Sequence, residues 1–406
     1  MIFSLLILLL VVLGAAILSV HLFCIVGIFR AIAAERHTQR SVGKVPSVSL
    51  VVPARNEEIL LPRLLSSLEK LDTSDVPDFE LVLVNDRSTD STPQIMQKFA
   101  AGAPWPVRII DTPEPTPPLV RTNPKQNALH YGTLSAHSQL LLFTDADCVV
   151  ETQWLRRMVL PFRDESLGLL FGTVMPKAAG MFLPQYQGFD HVFRYYYTAG
   201  SAGLGNPTGG FGNNIAVRAS ALAEVGGFSG LRYSVTEDAE LIAEVRDLHR
   251  YEVRPLIAAE AIVSPEPQRH LSELVTQSIR WNTGGLYAPD RAARYSYRVV
   301  MLFLLGSVLA LLLSPIFPPL LFTTAGSFLS MTLVAIIAGI ASRRGFRYWV
   351  MLLPNVLFSM AFYSFVTFQT LARRPIRWKG RILNIRAGRS PSTVAGVQKE
   401  SPVSRS

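Results

Sequence analysis

The sequence predicts an α/β domain with a mixed, mainly parallel β-sheet, placed between apolar segments long enough to cross a membrane. Three stretches, at residues 2–29, 299–342 and 348–372, contain no Asp, Glu, Lys or Arg and together hold 97 of the 406 residues. The other 309 residues carry all 69 charged side chains, about 22%, close to the ~25% usual in a globular domain. Between the first two stretches, short β-branched runs alternate with amphipathic stretches, which is the pattern of βαβ units.

The first apolar stretch has 28 residues, Ile2–Phe29, and about 20 helical residues cross a bilayer core of ~30 Å. It has neither a charged start nor a small-residue cleavage site, so we expect residues 1–29 to be a retained transmembrane anchor. A basic juxtamembrane linker follows at residues 30–45, with Arg30, Arg36, Arg40 and Lys44. By the positive-inside rule, these residues place the next domain in the cytoplasm, at the inner cell membrane.

The net charge of +9 is concentrated close to the apolar stretches. Residues 30–298 carry 27 basic and 29 acidic side chains, whereas residues 373–406 carry nine basic side chains and one acidic. A nucleic-acid-binding protein usually has its basic excess on the folded domain, so nucleic acid is not an expected partner. The basic tail instead favours contact with anionic lipid headgroups. Two cysteines, Cys24 and Cys148, predict no disulfide framework.

The second apolar stretch fits a transmembrane hairpin at residues 298–342, which turns at the prolines within Ser314–Pro319. The third segment, residues 343–372, is interrupted by Pro354-Asn355. One further crossing there would leave the basic cytoplasmic tail, residues 373–406, outside, against the positive-inside rule. We therefore expect this segment to lie in the interface or to re-enter on the same side, with a full crossing as the alternative.

The cytoplasmic domain is predicted at residues 46–268. Its strands are expected near Val48–Val52, Glu80–Val84, Val107–Ile110 and Gln139–Phe143, with helices near Glu57–Lys70, Thr92–Ala100 and Pro124–Ala136. In open α/β sheets, ligands bind beyond the carboxyl ends of the strands. The residues that directly follow each strand are therefore the first candidates for a functional site.

Polar sequences follow three of these strands. Pro53–Glu58 follows the first and Asn85–Thr92 the second, where acidic and hydroxyl side chains could either bind a nucleoside or cap the next helix. Thr144-Asp145-Ala146-Asp147 follows the fourth strand. Two carboxylates at the end of a buried strand are costly unless positive charge lies beside them. A divalent cation that also binds substrate phosphates would supply that charge.

Two later segments carry further candidates. Glu237 and Asp238 follow Thr236 at a predicted helix start, where they would either stabilise the helix N-terminus or supply a general base. Residues 269–297 are predicted to be an interfacial amphipathic segment, with an amphipathic helix at His270–Trp281. Its residues Gln277, Arg280 and Trp281 share one helix face, which by itself also suits contact with lipid headgroups.

Taken together, these motifs resemble the membrane-bound family-2 glycosyltransferases, whose catalytic domain has the Rossmann-like GT-A fold. The similarity runs from Val48 to Trp281, and Arg377–Arg381 matches a further element of many members. The resemblance implies a metal-dependent hexosyltransferase that uses a nucleotide-sugar donor, by family habit a UDP-sugar, with inversion at the anomeric carbon. It also implies N-terminal and C-terminal transmembrane helices around the catalytic domain.

The resemblance assigns roles to individual residues. Asp238 corresponds to the catalytic base, and Asp145 and Asp147 to the Asp-x-Asp pair that contacts the donor and its Mg²⁺ or Mn²⁺ ion. The other donor-binding residues are Pro53, Ala54, Glu57, Asp86, Asp90 and Lys125, although Pro124 stands where the family usually has Gly. Those expected near the acceptor and the diphosphate are Gly212, Asn213, Glu237, Gln277, Arg280 and Trp281.

Three functions remain open from the sequence. A catalytic domain anchored beside a bilayer favours a lipid acceptor. The enzymatic alternative is a processive polysaccharide synthase, because Gln-x-x-Arg-Trp also occurs there, although few segments are available to form a channel wall. The non-enzymatic alternative is a membrane scaffold or transporter. Against it, the apolar stretches lack the ionisable side chains of ion pathways, and every motif acid is present.

Overall fold

The computed structural model describes residues 22–35, 43–76, 78–114, 123–177, 180 and 182–372, together with residues 5, 8, 12 and 19. It also describes the backbone of residues 376–378 and 381–383. Most of the predicted anchor, residues 36–42 of the predicted linker and the tail beyond residue 383 lie outside the described residues. Cys24 and Cys148 are both free, as expected, and both are buried.

The strands are numbered β1 to β11 along the chain. They are β1 (Val48–Ala54), β2 (Phe79–Asn85), β3 (Val107–Asp111), β4 (Leu140–Phe143), β5 (Cys148–Val150), β6 (Leu167–Gly172), β7 (Ile215–Arg218), β8 (Glu252–Leu256), β9 (Val263–Pro265), β10 (Ile376–Trp378) and β11 (Arg381–Leu383). Within the described part of the chain, seven of them form one sheet of order β3-β2-β1-β4-β7-β6-β8. The pairs β5–β9 and β10–β11 form two small sheets.

The large sheet is mixed and mainly parallel, as predicted. β1 runs parallel to β2 and β4, β2 to β3, and β6 to β8, whereas β7 is antiparallel to both of its neighbours. All four predicted strands are present as β1 to β4. Because β1, β2 and β4 run in one direction, their carboxyl ends at Ala54, Asn85 and Phe143 share one edge of the sheet.

The helices are numbered α1 to α14. They are α1 (residues 22–35), α2 (Leu61–Leu68), α3 (Thr92–Gly102), α4 (Pro124–Leu134), α5 (Trp154–Val159), α6 (Phe182–Gly203), α7 (Ala219–Glu224), α8 (Gly227–Gly230), α9 (Glu237–Asp247), α10 (Leu271–Leu286), α11 (Arg291–Leu313), α12 (Leu320–Ala341), α13 (Phe346–Val350) and α14 (Leu352–Leu371). The helices predicted near Thr92–Ala100 and Pro124–Ala136 agree closely with α3 and α4. The first predicted helix, Glu57–Lys70, is shorter in the structure because residues 57–60 form a turn.

Helices cover both faces of the sheet, which explains why β1 and β2 are mainly apolar along their whole length. On one face, Leu64 of α2 and Met96 of α3 pack with Leu50 of β1. On the other face, Leu129 of α4 and Ile242 of α9 belong to the core that includes Val51 and Val82. The sheet is therefore buried between two helical layers, and only its edges are available for a ligand.

Helix α6 connects the sheet to the apolar helices that follow it. Val192 and Tyr195 belong to the core on the sheet side. Tyr186 and Phe189 belong to a third core, which includes Val356 of α14. α6 therefore contributes side chains to both cores and so joins the α/β domain to the C-terminal helices.

The helix of residues 22–35 packs against α6 at very close range. A Cβ atom placed on Gly27 would lie 1.9 Å from the carbonyl oxygen of Gly200. Only glycine at these two positions allows the two backbones to approach so closely. The helix continues past the predicted end of the anchor at Phe29, since it reaches residue 35 and buries Ile28 and Ala31.

Three helices of the described chain, α11, α12 and α14, are long and apolar enough to cross a membrane. α11 and α12 form the predicted hairpin, although α11 begins at Arg291, seven residues before the expected boundary. In the third segment the interruption lies at Met351 rather than at Pro354-Asn355. Pro354 falls in the first turn of α14, where a backbone N–H has no helical partner to lose.

The region of α14 contacts the α/β domain before its start and α10 near its end. Before α14, Arg344 Nη1 lies 2.5 Å from the Met175 sulfur. Near its other end, Thr370 Oγ1 accepts a 3.0 Å hydrogen bond from Asn282 of α10. The strand β10, which follows α14, also contacts α10.

Candidate active site

A cleft of about 240 Å³ opens at the carboxyl edge of β1, β2 and β4. The N-termini of α4 and α9 and one side of α10 complete its walls. The predicted site residues that line it are Pro53, Ala54, Glu57, Asp86, Lys125, Asp145, Asp147, Gly212, Asn213, Glu237, Asp238, Gln277, Arg280 and Trp281. Residues more than two hundred positions apart in the chain thus meet at one edge of the sheet.

Asp90 is not among the residues that line this cleft. Its two carboxylate oxygens accept hydrogen bonds from the backbone N–H groups of Thr92, at 3.0 Å, and Glu58, at 3.1 Å. Nearby, the Asn56 side-chain oxygen accepts from the Thr89 N–H at 2.8 Å. These bonds tie the loop after β1 to the loop after β2. Asp90 therefore supports the wall of the cleft rather than facing into it.

Asp86 follows β2 directly and is buried, with 5% of its surface exposed. Arg87 Nη2 lies 2.7 Å from Asp86 Oδ1, and the Thr112 hydroxyl donates to the same oxygen at 3.1 Å. Arg55 donates a 2.9 Å hydrogen bond to the Asp86 carbonyl. The φ angle of Arg87 is +55°, in the sparsely populated left-handed region. These contacts fix the orientation of the Asp86 carboxylate beside the cleft.

Lys125, in the first turn of α4, links the acidic groups of the cleft. Its Nζ lies 2.6 Å from Asp145 Oδ1 and 3.6 Å from Glu237 Oε1. Burial acts to lower the pKa of Lys125, but the charges of Asp145, Glu237 and Asp238 outweigh it and raise that pKa above its ordinary value. Lys125 is therefore a firmly held cation among three carboxylates.

Asn123 positions two site residues and was not predicted. Its side-chain oxygen accepts a 2.8 Å hydrogen bond from the Gln126 N–H, which caps α4 and so fixes Lys125. Its amide group donates to Glu237 Oε2 at 2.9 Å and to the Ser234 carbonyl at 2.8 Å. The available signal was an Asn placed directly before proline, which is the pattern of an N-cap with proline at the first helical position.

Asp145 and Asp147 follow β4 with the buried Ala146 between them. Both line the cleft, and the Asp145 side chain is 31% exposed. Two carboxylates suit Mg²⁺ or Mn²⁺ at a site that also receives phosphate oxygens and water. Within the described residues, no group of three or more His, Cys, Asp or Glu side chains is arranged to hold a metal ion. A cation at this pair would take its other ligands from substrate and solvent.

Asp238 lies in the first turn of α9. Its Oδ2 accepts a 2.7 Å hydrogen bond from the backbone N–H of Gly212. Burial and then repulsion by Glu237 raise the pKa of Asp238 to about 6, against the lowering effect of Lys125. A carboxylate of this kind is ionised at pH 7 and yet is a stronger base than an exposed Asp, which suits general base catalysis.

Helix α10 presents Gln277, Arg280 and Trp281 to the cleft. Arg280 donates a 3.3 Å hydrogen bond to the Val235 carbonyl, close to the start of α9. Its guanidinium carbon lies 5.9 Å from the ring centre of Trp281. The structure therefore brings a cation and an aromatic ring beside the acidic groups, on the side of the cleft nearest the apolar helices.

Two residues of α6, Gln187 and His191, line the cleft and were missed. The His191 ring stacks on Phe211, with centroids 5.1 Å apart and 10° between the planes, and meets Trp281 edge-on at 5.6 Å. Burial lowers the pKa of His191 to about 4, so its ring is neutral at pH 7. A spacing of four residues on one helix face was the available signal, but the helix itself was not predicted.

A sequence model described as glycosyl transferase family 21 matches residues 6–391, which is nearly the whole chain. The chain belongs to glycosyl transferase family 21. All of the predicted site residues fall within the matched range. The glycosyltransferase assignment made from the motifs is thus confirmed, whereas the resemblance to family 2 in particular is not.

Several curated glycosyltransferases are similar to this family 21 chain. The probable glycosyltransferase YdaM of Bacillus subtilis is 26% identical over 274 residues, which are 66% of this chain and 63% of that protein. The β-monoglucosyldiacylglycerol synthase of Nostoc sp. is 24% identical over 259 residues, 62% of this chain and 52% of that protein. The corresponding Synechocystis enzyme is 27% identical over 241 residues, which are 59% of this chain and 48% of that protein. The chain thus spans about half to two thirds of the length of these relatives.

Two solved structures are more distantly similar. The mannosyltransferase PcManGT from Pyrobaculum calidifontis, in complex with GDP-Man and Mn²⁺, has 16% identity and a TM-score of 0.48, covering 90% of this chain and 99% of that one. Glucosyl-3-phosphoglycerate synthase from Mycobacterium tuberculosis, in complex with Mn²⁺, UDP and glucosyl-3-phosphoglycerate, has 19% identity and a TM-score of 0.41. The match covers 61% of this chain and 82% of that one. At these scores, neither likeness by itself establishes a ligand for the family 21 chain.

Proposed function

We propose that this family 21 glycosyltransferase moves a hexose, with inversion, from a nucleotide-sugar donor to a hydroxyl group of a membrane lipid. The observation that carries the proposal is the single cleft in which Asp145, Asp147, Lys125 and Asp238 meet. It combines a carboxylate pair, a fixed cation and a base of raised pKa. The relatives named β-monoglucosyldiacylglycerol synthases support a lipid acceptor.

The nucleoside part of the donor, which we take to be a UDP-sugar, binds at the ends of β1 and β2. Pro53 and Ala54 end β1, and the fixed Asp86 carboxylate follows β2, so the edge offers both an apolar wall and a hydrogen-bond acceptor. This arrangement is the one expected of a GT-A domain. The topology of β1 to β4 supports it, because ligands of open α/β sheets bind at that edge.

The leaving group is the nucleoside diphosphate. Lys125 and Arg280 oppose the negative charge that develops on it as the bond to the anomeric carbon breaks. Asp145 and Asp147 would hold Mg²⁺ or Mn²⁺, and such a cation, when bound, supplies further stabilisation of charge on the diphosphate. The 2.6 Å pair between Lys125 and Asp145 balances part of the acidic charge before the donor enters.

Asp238 acts as the general base. The acceptor hydroxyl oxygen attacks the anomeric carbon from the side opposite the diphosphate, and the hydroxyl proton passes to the Asp238 carboxylate. The transition state resembles that of inverting glycosidases, with positive charge on the sugar ring. The hydrogen bond from Gly212 supports this role, because it holds one carboxylate oxygen in a fixed direction.

The protein is proposed to lie in the inner membrane with its α/β domain in the cytoplasm. Residues 1–29, α11 and α12 are the crossings, and α14 lies in the interface. The contacts of Arg344 with Met175 and of Thr370 with Asn282 support this arrangement, because the first reaches the α/β domain before α14 and the second, near the end of α14, reaches the helix α10 that lines the cleft. The basic tail is then cytoplasmic, as the positive-inside rule requires, and next to anionic headgroups.

Expression in a host that lacks the product, followed by lipid extraction and mass spectrometry, tests the proposed function. We expect a lipid that carries one or two added hexoses in cells with the parent enzyme, and its absence in cells with Asp238→Asn. A long polysaccharide instead of a glycolipid would favour a processive synthase. An unchanged lipid and polysaccharide profile, with the protein present in the membrane, would argue for a non-catalytic role.

A further inference from the structure

A second pocket, of about 330 Å³, lies between the end of α1, helix α5 and the end of strand β8. Within the described chain, it shares no lining residue with the cleft. Four arginines line it, and among the described residues Glu35 is its single acidic lining residue. The arginines are Arg156, Arg157, Arg163 and Arg254. We call this the basic pocket, and the proposed reaction uses none of its side chains.

Arg163 and Arg157 carry charge that the protein leaves largely unused. Arg163 is half-buried and forms no ion pair among the described residues, and its Nε has no hydrogen-bond partner there. Arg157 Nη2 lies 3.6 Å from Glu260 Oε1, which is too long for a hydrogen bond, and the Arg157 side chain is 36% exposed. Both guanidinium groups are therefore available to an anion that enters the pocket.

Arg156 and Arg254 are instead held by acidic partners that lie outside the pocket lining. Arg156 Nε lies 2.6 Å from Asp75 Oδ2, and Arg254 Nη2 lies 2.7 Å from Asp164 Oδ2. These ion pairs fix the two guanidinium groups and balance much of their charge. The basic pocket thus has two fixed arginines in its wall and two available ones.

Glu35 carries the charge that opposes an anion, and its carboxylate is engaged elsewhere. Its Oε2 accepts a 3.1 Å hydrogen bond from the backbone N–H of Ile257, directly after β8. Burial raises the pKa of Glu35, while this hydrogen bond and the charge of Arg157 act to lower it. Glu35 therefore ties the end of α1 to the large sheet.

The basic pocket lies beside the ends of the membrane helices. α12 is a candidate span and ends at Ala341. Burial raises the pKa of the Tyr196 hydroxyl on α6, Ser342, directly after α12, lowers it, and the charge of Glu35 raises it further. The end of α12 and the end of α1 therefore meet at one tyrosine. Headgroup phosphates lie just outside the hydrocarbon core of ~30 Å, which is the depth at which a span ends.

We propose that the basic pocket binds the phosphate group of an anionic phospholipid in the cytoplasmic leaflet. The planar guanidinium groups of Arg157 and Arg163 offer paired N–H donors that match phosphate oxygens. Basic pockets on the cytoplasmic side of membrane helices suit lipid headgroups of this kind. Inorganic phosphate has the same chemistry, but the position beside the helix ends favours the lipid. The inference rests on the membrane orientation in the proposed function and not on the proposed reaction.

A phospholipid in this pocket adds a contact between the α/β domain and the bilayer at a point separate from the cleft. Arg157 lies in α5 and Arg163 in the turn that follows it, so both belong to the segment between β5 and β6. An anionic bilayer therefore holds this part of the domain more firmly than a neutral one. The attraction weakens as the salt concentration rises, because exposed charges are screened.

Lipid binding to the full-length protein tests the site without donor or acceptor. Native mass spectrometry in detergent gives dissociation constants for dioleoylphosphatidylglycerol and for the zwitterionic dioleoylphosphatidylcholine. We expect the parent to prefer the anionic lipid by more than about fivefold, since each basic side chain near a headgroup contributes roughly that factor. The double substitution Arg157→Gln/Arg163→Gln should remove most of this preference. Lys98→Gln/Arg250→Gln removes the same charge at two exposed positions outside the pocket and should keep the preference of the parent.

The outcomes test both the site and the source of the phosphate. Loss of the preference in the pocket variant alone supports the lipid site. An equal preference in the parent and the pocket variant overturns it and assigns anionic-lipid binding to the basic tail. If neither lipid is preferred but inorganic phosphate raises the Tm of the parent and not that of the pocket variant, the lipid is overturned as the source and the pocket binds free phosphate. If neither anion binds, the proposal fails.

Folding of the pocket variant is checked by its Tm in the same detergent. If that Tm falls well below the Tm of the parent, Arg157→Gln alone takes its place, because the Arg157 side chain has only the long contact to Glu260. Arg157→Lys/Arg163→Lys keeps both charges and should retain part of the preference. Absence of glycosyl transfer by the parent would count against the proposed function and leave this measurement unaffected.

Discussion

The backbone N–H of Gly212 donates a 2.7 Å hydrogen bond to Oδ2 of Asp238, across the start of α9. A Cβ atom on Gly212 would lie 2.9 Å from the Cβ of Asp238 and 3.0 Å from the same oxygen. The loop before β7 can therefore approach the proposed base only because residue 212 has no side chain. This contact sets the direction of the carboxylate toward the cleft.

Gly212→Ala is expected to lower kcat by about tenfold to a hundredfold, because a displacement of about 1 Å at a reacting group can cost that much. The dissociation constant for UDP should change less than threefold, since the nucleoside is proposed to bind at β1 and β2. Steady-state kinetics and equilibrium binding measure the two effects. Gly102→Ala is the matched control, because a Cβ atom there meets no other atom within 4 Å. Unaltered kcat in Gly212→Ala would contradict the positioning role.

Asp238→Asn removes the proposed base while it keeps the size of the side chain. General base catalysis contributes about 10²- to 10⁴-fold, so kcat should fall by that factor. Donor binding should survive, because the diphosphate is proposed to contact Lys125 and Arg280. Asp247→Asn, at the exposed end of the same helix, is the control and should retain the parent rate. Transfer at the parent rate by Asp238→Asn would identify a different base.

The activity should depend on pH through Asp238. Its pKa of about 6 means that the ionised, active form predominates above pH 6. We expect kcat/KM for the donor to fall about tenfold per unit below that pH and to level off above it. Lys125→Gln removes a charge that lowers the pKa of Asp238, so the acidic limb should move to higher pH. Lys98→Gln, on the exposed side of α3, should leave the limb in place.

Removal of divalent cations should abolish transfer. Dialysis against EDTA is expected to stop the reaction, and Mg²⁺ or Mn²⁺ should restore it. Asp147→Asn should raise the cation concentration for half-maximal rate at least tenfold, since it removes one of only two proposed protein ligands. Asp78→Asn changes an exposed carboxylate far from the cleft and serves as control. Full activity in EDTA would show that Lys125 and Arg280 suffice for the diphosphate.

Asn214 should be critical for stability. It is fully buried, accepts from the Trp154 indole at 3.0 Å and donates to the carbonyls of Thr173 and Ala261 at 2.8 Å each. Asn214→Ala leaves these partners buried without hydrogen bonds, at about 1–3 kcal/mol each. We expect a clear fall in Tm, measured in detergent by calorimetry, and little change for the exposed Asn206→Ala. Equal Tm values for both would show that water replaces the lost side chain.

The half of the domain that contains β1 to β4 could be predicted from sequence. β1, β2 and β4 are buried on both faces, so each is a mainly apolar run that stands out from its surroundings, whereas β3 at the edge of the sheet is only partly buried. The rule that ligands bind at carboxyl ends then pointed to Asp86, Asp145 and Asp147 without knowledge of the fold. Asp90 shows the limit of that rule. It follows β2, as Asp86 does, but its carboxylate accepts hydrogen bonds from backbone N–H groups instead of facing the cleft.

The second half of the domain was harder to predict. β7 has only four residues, and α6 is rich in aromatic residues on several faces, so neither has a clear period. The contact of Asn123 with Glu237 joins residues 114 positions apart, and no local pattern encodes it. His191 is buried against Phe211 and Trp281 at the cleft. A histidine within an aromatic stretch does not by itself predict that its side chain lines a site.

The contact between α6 and α14 has a practical consequence for work with this protein. Asp190 of α6 bonds to the Tyr363 hydroxyl and lies 3.0 Å from Arg194, which in turn stacks over Trp281 at 4.9 Å. A shortened protein that ended before α11 would lack Tyr363, the hydrogen-bond partner of this ion pair. It would also expose the apolar side of α6. The globular half is therefore a poor candidate for isolation as a water-soluble fragment, and structural or kinetic studies call for the intact chain in detergent or lipid.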